Sequence, residues 1–212
     1  MGVLLPLKIS ICKSIITDMK EFEITNENVG QHLSSNEKVN DTTMKINARG
    51  SITYEGEYSF LRFQRRLPHP TETIWKEITD PKQLSEWMNT KAIINGKSGG
   101  TIDFVNTVSG FHTLGDILVW EPNQVFEHEW HIAPNPGLPQ GEPNSIIRWE
   151  LEQDGDSDTL LTLTHSHLSK SISLRFAPGW HAYLDRLEAD LDNKELPDWM
   201  HRFGQVKELY SS

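Results

Sequence analysis

A single cysteine, Cys12, is all the thiol chemistry that these 212 residues contain. An internal disulfide is therefore excluded, and so are cysteine-rich zinc sites. Such usage suits a reducing compartment, and a cytoplasmic location is the expectation. Long apolar runs are missing as well. Nothing approaches the roughly 20 residues that a membrane helix needs, so no span is expected. The short apolar start MGVLLPLKISICKSI carries its basic residues, Lys8 and Lys13, within and after the apolar stretch. A secretory signal wants that charge in front and small residues at the cleavage point, so export is not expected. Positive charge is scarce, with 20 Lys and Arg against 30 Asp and Glu. Residues 1–50 are balanced, six against six, and the deficit falls on residues 51–212, with 14 against 24. A surface that acidic repels a phosphate backbone, so no nucleic-acid partner is expected. The one glycine-rich stretch, GKSGG at 96–100, lacks Walker spacing and follows a short strand with no helix after it, and HExxH does not occur. No cofactor and no metal are expected.

What the chain does have is tryptophan. Seven residues, at 75, 87, 120, 130, 149, 180 and 199, fall in nearly every element that can be identified. One reading is a Trp-rich core in which each indole N–H needs a polar partner. The other is a cavity with aromatic walls, the usual lining of a small-molecule site. Taken singly each Trp fits the first; taken together they fit the second.

Residues 1–50 show no sustained apolar period, and QHLSSNEKVNDTT in particular cannot bury enough surface to offset its ordering entropy. This segment is expected to be a mobile extension. Deleting residues 1–45 is accordingly expected to leave the melting temperature essentially unchanged in a thermal scan. From residue 51 to 194 a single domain is expected. A strand over 59–67 runs into Pro68 and Pro70, which block its continuation. Thr71 can cap the helix that follows, in which Ile74, Trp75 and Ile78 recur at helical spacing. Asp80 and Pro81 open a second short helix carrying Leu84, Trp87 and Met88. Six further strands are expected over 91–95, 101–108, 111–120, 125–132, 146–152 and 159–167, joined mostly by Asn, Gly and Pro turns. The longest join, 133–145, holds four prolines and two glycines. A closing helix is expected from about Pro178, with Trp180, Leu184, Leu187 and Leu191 on its buried stripe. His181, Asp185, Arg186, Glu188 and Asp192 would lie mostly on the wet side, and Arg65 and Arg66 read as solvated. Residues 195–212 would add a tail with one short helix.

The order is a strand, two short helices, a run of antiparallel strands and a long final helix. Together with RFQRRLPHPTETIWKEITDPKQLSEWM at 62–88, GDILVWEPNQVFEHEW at 115–130, LTLTHSHL at 161–168 and GWHAYLDRLEADL at 179–191, it resembles the START-like, or SRPBCC, superfamily. Within it, the chain looks most like the branch named for the C-terminal domain of the Hsp90 ATPase activator. The likeness covers roughly residues 58–192, and Met88 stands where relatives often carry a second aromatic residue. It implies an α+β helix-grip fold of the Bet v 1/START-like kind: a seven-stranded antiparallel sheet wrapped around the C-terminal helix. It further implies a cavity between sheet and helix that takes hydrophobic or aromatic molecules, and it admits a Hsp90-type chaperone as partner.

Strand parity then selects residues. Trp130 shares a face with Phe126, Trp149 with Ile147, His165 with Leu163, Phe104 with Ile102, and Trp120 with Leu118. With Trp87 from the second helix and Trp180 from the last, the expected cavity set is Trp87, Phe104, Trp120, Trp130, Trp149, His165 and Trp180. The nine histidines invite metal or acid–base readings. His128 and His131 sit three apart on a strand, on opposite faces, and cannot share an ion. His165 and His167 would share a face but lack a third ligand nearby. His165 and His128, on apolar faces, are either core histidines bonded to backbone or a Trp N–H, or acid–base groups. Three functions follow: binding of a hydrophobic or aromatic small molecule, a co-chaperone-like interaction module, or a cyclase-type enzyme using a cavity histidine. The first is the expectation.

Overall fold

The computed structural model describes residues 49–108, 110–135, 138, 142 and 144–211. The N-terminal extension expected over residues 1–50 lies, but for its last two residues, outside them. Strand β1 (Ser51–Glu55) turns back through Gly56 into β2 (Tyr58–Leu67). Helices α1 (Thr71–Thr79) and α2 (Pro81–Trp87) follow, then β3 (Thr90–Ile94), β4 (Thr101–Asn106), β5 (His112–Glu121), β6 (Val125–Ile132), β7 (Ser145–Asp154) and β8 (Asp158–Ser169). Helix α3 (Lys170–Leu191) and α4 (Trp199–Val206) close the chain, with a final 3-10 turn, Lys207–Tyr210.

All eight strands form one antiparallel sheet in the order β1-β2-β8-β7-β6-β5-β4-β3. This is the expected α+β helix-grip architecture, with one strand more than the seven that periodicity indicated. The extra one is β1: SITYE has a single half-buried side chain, Ile52, so its pattern gives no period-two signal. It is an edge strand, held by pairing with β2.

Of the two short helices, only the second is capped by the residue the sequence offered; the first is capped by Pro70 and not by Thr71. Asp80 caps α2, its carboxylate accepting from Lys82 N at 2.8 Å, with Pro81 in the first turn. Pro70, without a side-chain bond, occupies the cap of α1, and Thr71 is its first helical residue.

Helix α3 starts eight residues earlier than expected and runs through Pro178. The Glu142 carboxylate accepts from Ser169 N at 2.6 Å and Ser169 Oγ at 3.1 Å, placing negative charge at the helix start. Ile172, Ser173 and Ala177 bury the added turns. Proline there removes one donor, the partner of the Leu174 carbonyl, and Leu174 faces water. Trp180, Leu184, Leu187 and Leu191 do form the buried stripe.

His181 and Arg186 are buried, not solvated, because α4 and the 3-10 turn cover that side of α3. Arg65 is buried too, paired with Glu188 at 2.6 Å and Asp185 at 3.4 Å, while Arg66 stays exposed as expected. Arg186 donates to three backbone carbonyls: Trp87 at 2.6 Å, Glu86 at 3.0 Å and Pro197 at 2.5 Å. One guanidinium thus ties the end of α2 and the tail to α3. Arg186→Leu would strand all three acceptors, and a loss of about 2–3 kcal/mol in urea unfolding is expected.

Candidate functional site

Register fixes what the concave face presents to α3. Across five strands one row reads Ile117, His128, Ile147, His165 and Leu61. The adjacent row reads Trp120, Phe126, Trp149, Leu163 and Phe63. Trp130 and Ser145, opposite each other on β6 and β7, stand beyond the imidazole row. From the other layer, α3 lays Phe176 and Trp180 against these rows, with Tyr183 beside Trp180 and Trp87.

The rings meet mostly edge to face, the arrangement their quadrupoles favour. Trp180 stands 5.8 Å from Trp149 and 5.9 Å from Trp130, centroid to centroid. Trp130 continues to Phe104 at 6.1 Å, and Trp149 to Trp87 at 6.5 Å. His165 lies 6.1 Å from Trp180 and 6.2 Å from Trp130. Six of the seven residues chosen from the sequence therefore touch in one chain of rings. The seventh, Trp120, joins a neighbouring group with Trp75 at 5.0 Å and Phe126 at 5.1 Å. It does not share a face with Leu118. The register of β5 on β6 slips between Ile117 and Val119, a bulge that turns Leu118 out and sets Trp120 on the side of Ile117.

A bulge also separates the two histidines of β8. Pairing with β2 shifts between Ser59 and Leu61, and His167 takes a left-handed φ of 62°. Its ring turns outward against Tyr58 and Phe60, while His165 points inward. They do not share a face.

His165 is fully buried and fully bonded. Trp180 Nε1 donates to its Nδ1 at 3.0 Å, which leaves the proton on Nε2 for Ser145 Oγ at 2.9 Å. Ser145 Oγ in turn donates to the Trp130 carbonyl at 3.1 Å. Burial, and then the neighbouring His128, hold the His165 pKa well below that of an ordinary histidine. Of the two roles open to this residue, it fills the core one.

His128 is equally buried, and its pKa is pushed down to about 4 by desolvation. Its Nδ1 faces the Glu129 carbonyl at 2.8 Å and must carry the proton. Parity with Phe126 and Trp130 signals its inward direction. Ser145 and Tyr183 also belong to the site. Tyr183 lies one helical turn beyond Trp180, which is a legible signal; Ser145, ending a proline-rich loop, offers none.

Two concavities lie on the surface of the described residues. One, about 430 Å³, lies among Arg49, Ile52, Tyr54, Leu174 and Tyr210. The other, about 410 Å³, lies on the outer face of β4–β6 among Asp103, Leu114, Asp116, Glu129 and His131. Neither encloses the apolar surface that a buried small molecule needs.

Comparison with known proteins places this geometry. Residues 68–192 match the family model described as activator of Hsp90 ATPase homolog 1-like protein. Among solved structures, the chain is similar to CalU16 from Micromonospora echinospora: 24% identity, TM-score 0.59, covering 77% of this chain and 92% of that one. It is similar to EF2215, a conserved protein of unknown function from Enterococcus faecalis, at 17% identity and TM-score 0.61, covering 80% and 93%. PFC0360w, an HSP90 activator from Plasmodium falciparum, aligns at 19% identity and TM-score 0.52, covering 63% and 96%. These three likenesses show the fold. No curated protein matches the sequence.

Proposed function

The chain belongs to the family of activator of Hsp90 ATPase homolog 1-like proteins, and from that premise we propose that it binds a hydrophobic or aromatic small molecule between the sheet and α3. One observation carries this reading. Four rings that face one another across the two layers keep some accessible surface: Trp130 9%, Phe104 5%, Trp180 5% and Trp149 4%. The aliphatic residues of the same rows, Ile147, Leu163 and Leu61, keep none. These four rings are thus less completely covered than the aliphatic residues beside them, and rings can tilt apart without breaking a backbone ladder. Aromatic walls suit a flat apolar guest, and the two imidazoles beside them are uncharged at neutral pH.

Native mass spectrometry of the purified full chain tests the reading, backed by tryptophan fluorescence with aromatic probes. A co-purified small molecule, or quenching that saturates, is expected. A ligand-free protein whose emission ignores every probe would sink it. A co-chaperone-like module would instead carry its determinants outside the sheet, and stimulation of an Hsp90 ATPase that survives disruption of the seam would favour that alternative.

A further inference from the structure

The outer face of β3–β6, turned away from α3, combines exposed apolar side chains with a one-sided charge. Of the seven large hydrophobic residues left exposed among the described residues, Ile93 on β3 and Leu114 and Leu118 on β5 lie here, and Ile93 keeps 70% of its surface. Ile93, Asp103, Leu114 and His131 stand in one row across the four strands. Their neighbours along the strands, Ile102, Phe104, Thr113 and Ile132, form the buried set. The bulge in β5 adds Leu118 to the outer side, a bulge being a device that re-aims one side chain.

Carboxylates surround these residues. Asp103 lies between Ile93 and Leu114, Asp116 follows Leu114 by two, and Glu129 approaches from β6, its Oε2 accepting from Asp116 N at 3.3 Å. With Leu114 and His131 they line the concavity of about 410 Å³. Among the described residues no Lys or Arg pairs with any of the three: Asp103 meets His112 at 2.9 Å and Glu129 meets His131 at 3.2 Å. The sequence explains why. From residue 98 to 147 it has six Asp and Glu and no Lys or Arg, and the lysines closest to this face in sequence are Lys91 on β3 and Lys97 in the turn after it.

We propose that this face docks a basic amphipathic segment of another protein, with its apolar side chains on Ile93, Leu114 and Leu118 and its Arg or Lys side chains on Asp103, Asp116 and Glu129. Complementary charge selects such a partner, and like charge rejects the wrong one. Arg suits the role best, because its fork matches a carboxylate. A second copy of this chain would set the same carboxylates against themselves, as a two-fold contact requires. Size points the same way. The face spans about 14 Å from β3 to β6 and about 13 Å from Leu114 to Leu118. A stable dimer buries about 800 Å² on each partner, so a face this small suits a short segment. Because the sheet separates this face from α3, its occupant would not compete with a guest in the aromatic seam.

The test titrates the full chain against a labelled amphipathic peptide of Leu, Ala and Arg, roughly 15 residues and so about four helical turns long. Two controls accompany it: the same composition in an order without a helical period, and a peptide with Glu in place of every Arg. The amphipathic basic peptide is expected to bind about tenfold more tightly than either control. Amide NMR shifts should then fall on the outer face of β3–β6. Leu114→Ser combined with Asp116→Asn is expected to weaken binding about tenfold, and since both side chains are exposed the variant should melt like the wild type. Glu152→Gln combined with Asp156→Asn removes more charge from the exposed β7–β8 end and should leave binding unchanged. Equal weakening by the two double variants, or equal binding of the scrambled peptide, would reduce the effect to a general attraction of an acidic chain and refute the surface. Absence of binding, or shifts confined to the aromatic seam, would refute it too. Dimerisation in sedimentation that Leu114→Ser abolishes would put a second copy there in place of the basic segment and overturn the proposal.

Discussion

Trp180→Ala is expected to lower the unfolding free energy by about 5 kcal/mol, the upper end of what a buried tryptophan contributes. Two separate losses converge at this position. The ring stands between layers, with Trp149, Trp130, Tyr183 and His165 all within centroid contact. Sheet and helix could close over that volume only by moving several large rings at once, so a cavity would remain. Its N–H is also the donor that fixes the His165 tautomer. Without it, His165 Nδ1 becomes a bare acceptor in the core, at a cost of about 1–3 kcal/mol. Since whole domains are stable by only about 5–15 kcal/mol, this variant should be largely unfolded or close to it. Trp180→Phe separates the terms, keeping much of the packing and losing the donor, and should cost roughly 1–3 kcal/mol. Urea unfolding of both variants checks the pair. Equal, small effects would mean that the seam repacks freely around α3.

Most of this architecture was legible from the chain because one-face burial writes a period into a strand. Ile147, Trp149 and Leu151 alternate with charged residues, and the structure buries the first set. The same holds for Leu161, Leu163 and His165. Where the period is broken from outside the strand, the sequence is silent. The bulge at Leu118 moves Trp120 to the other parity, and the left-handed turn at His167 undoes its alignment with His165. Neither site carries a glycine or proline to announce it. Burial supplied by a remote segment is equally hidden. His181 and Arg186 read as wet because the tail that covers them lies far along the chain and shows no long amphipathic period of its own. The hydrogen-bond state of an imidazole is further still from the sequence. His128 and His165 occupy equivalent positions in the pattern, and only folding shows that one bonds a neighbouring backbone carbonyl while the other bonds Trp180 and Ser145.

Those imidazoles should also make the fold sensitive to acid. Burial lowers the pKa of His128 and of His181 to about 4 and that of His165 well below its ordinary value. In the unfolded chain each titrates near the ordinary histidine value of about 6.5. Between these limits the unfolded state takes up protons that the native state refuses. Stability is therefore full above about pH 6.5 and falls as pH drops toward 4. His128 and His181 should each remove about 2 kcal/mol by about pH 5, and His165 adds to the loss. His181 is set among charges: Asp185 at 3.6 Å supports its protonation, while Arg65 and Arg202 oppose it, and Tyr210 Oη bonds its Nδ1 at 2.8 Å. Glu77 and Glu188 act in the opposite sense. Burial raises both carboxyl pKa values, so their destabilising effect at neutral pH is relieved on acidification. They share the window above the ordinary carboxyl value and offset part of the loss, but three histidines outweigh two partly compensated carboxyls. Urea unfolding at about pH 7.5 and about pH 5 should show a clear fall in midpoint. His128→Phe removes one titrating group without emptying its place among Phe104, Phe126 and Trp130, so it should flatten the dependence. A midpoint unchanged across that interval would mean that these rings are reached by water and are not held neutral by burial.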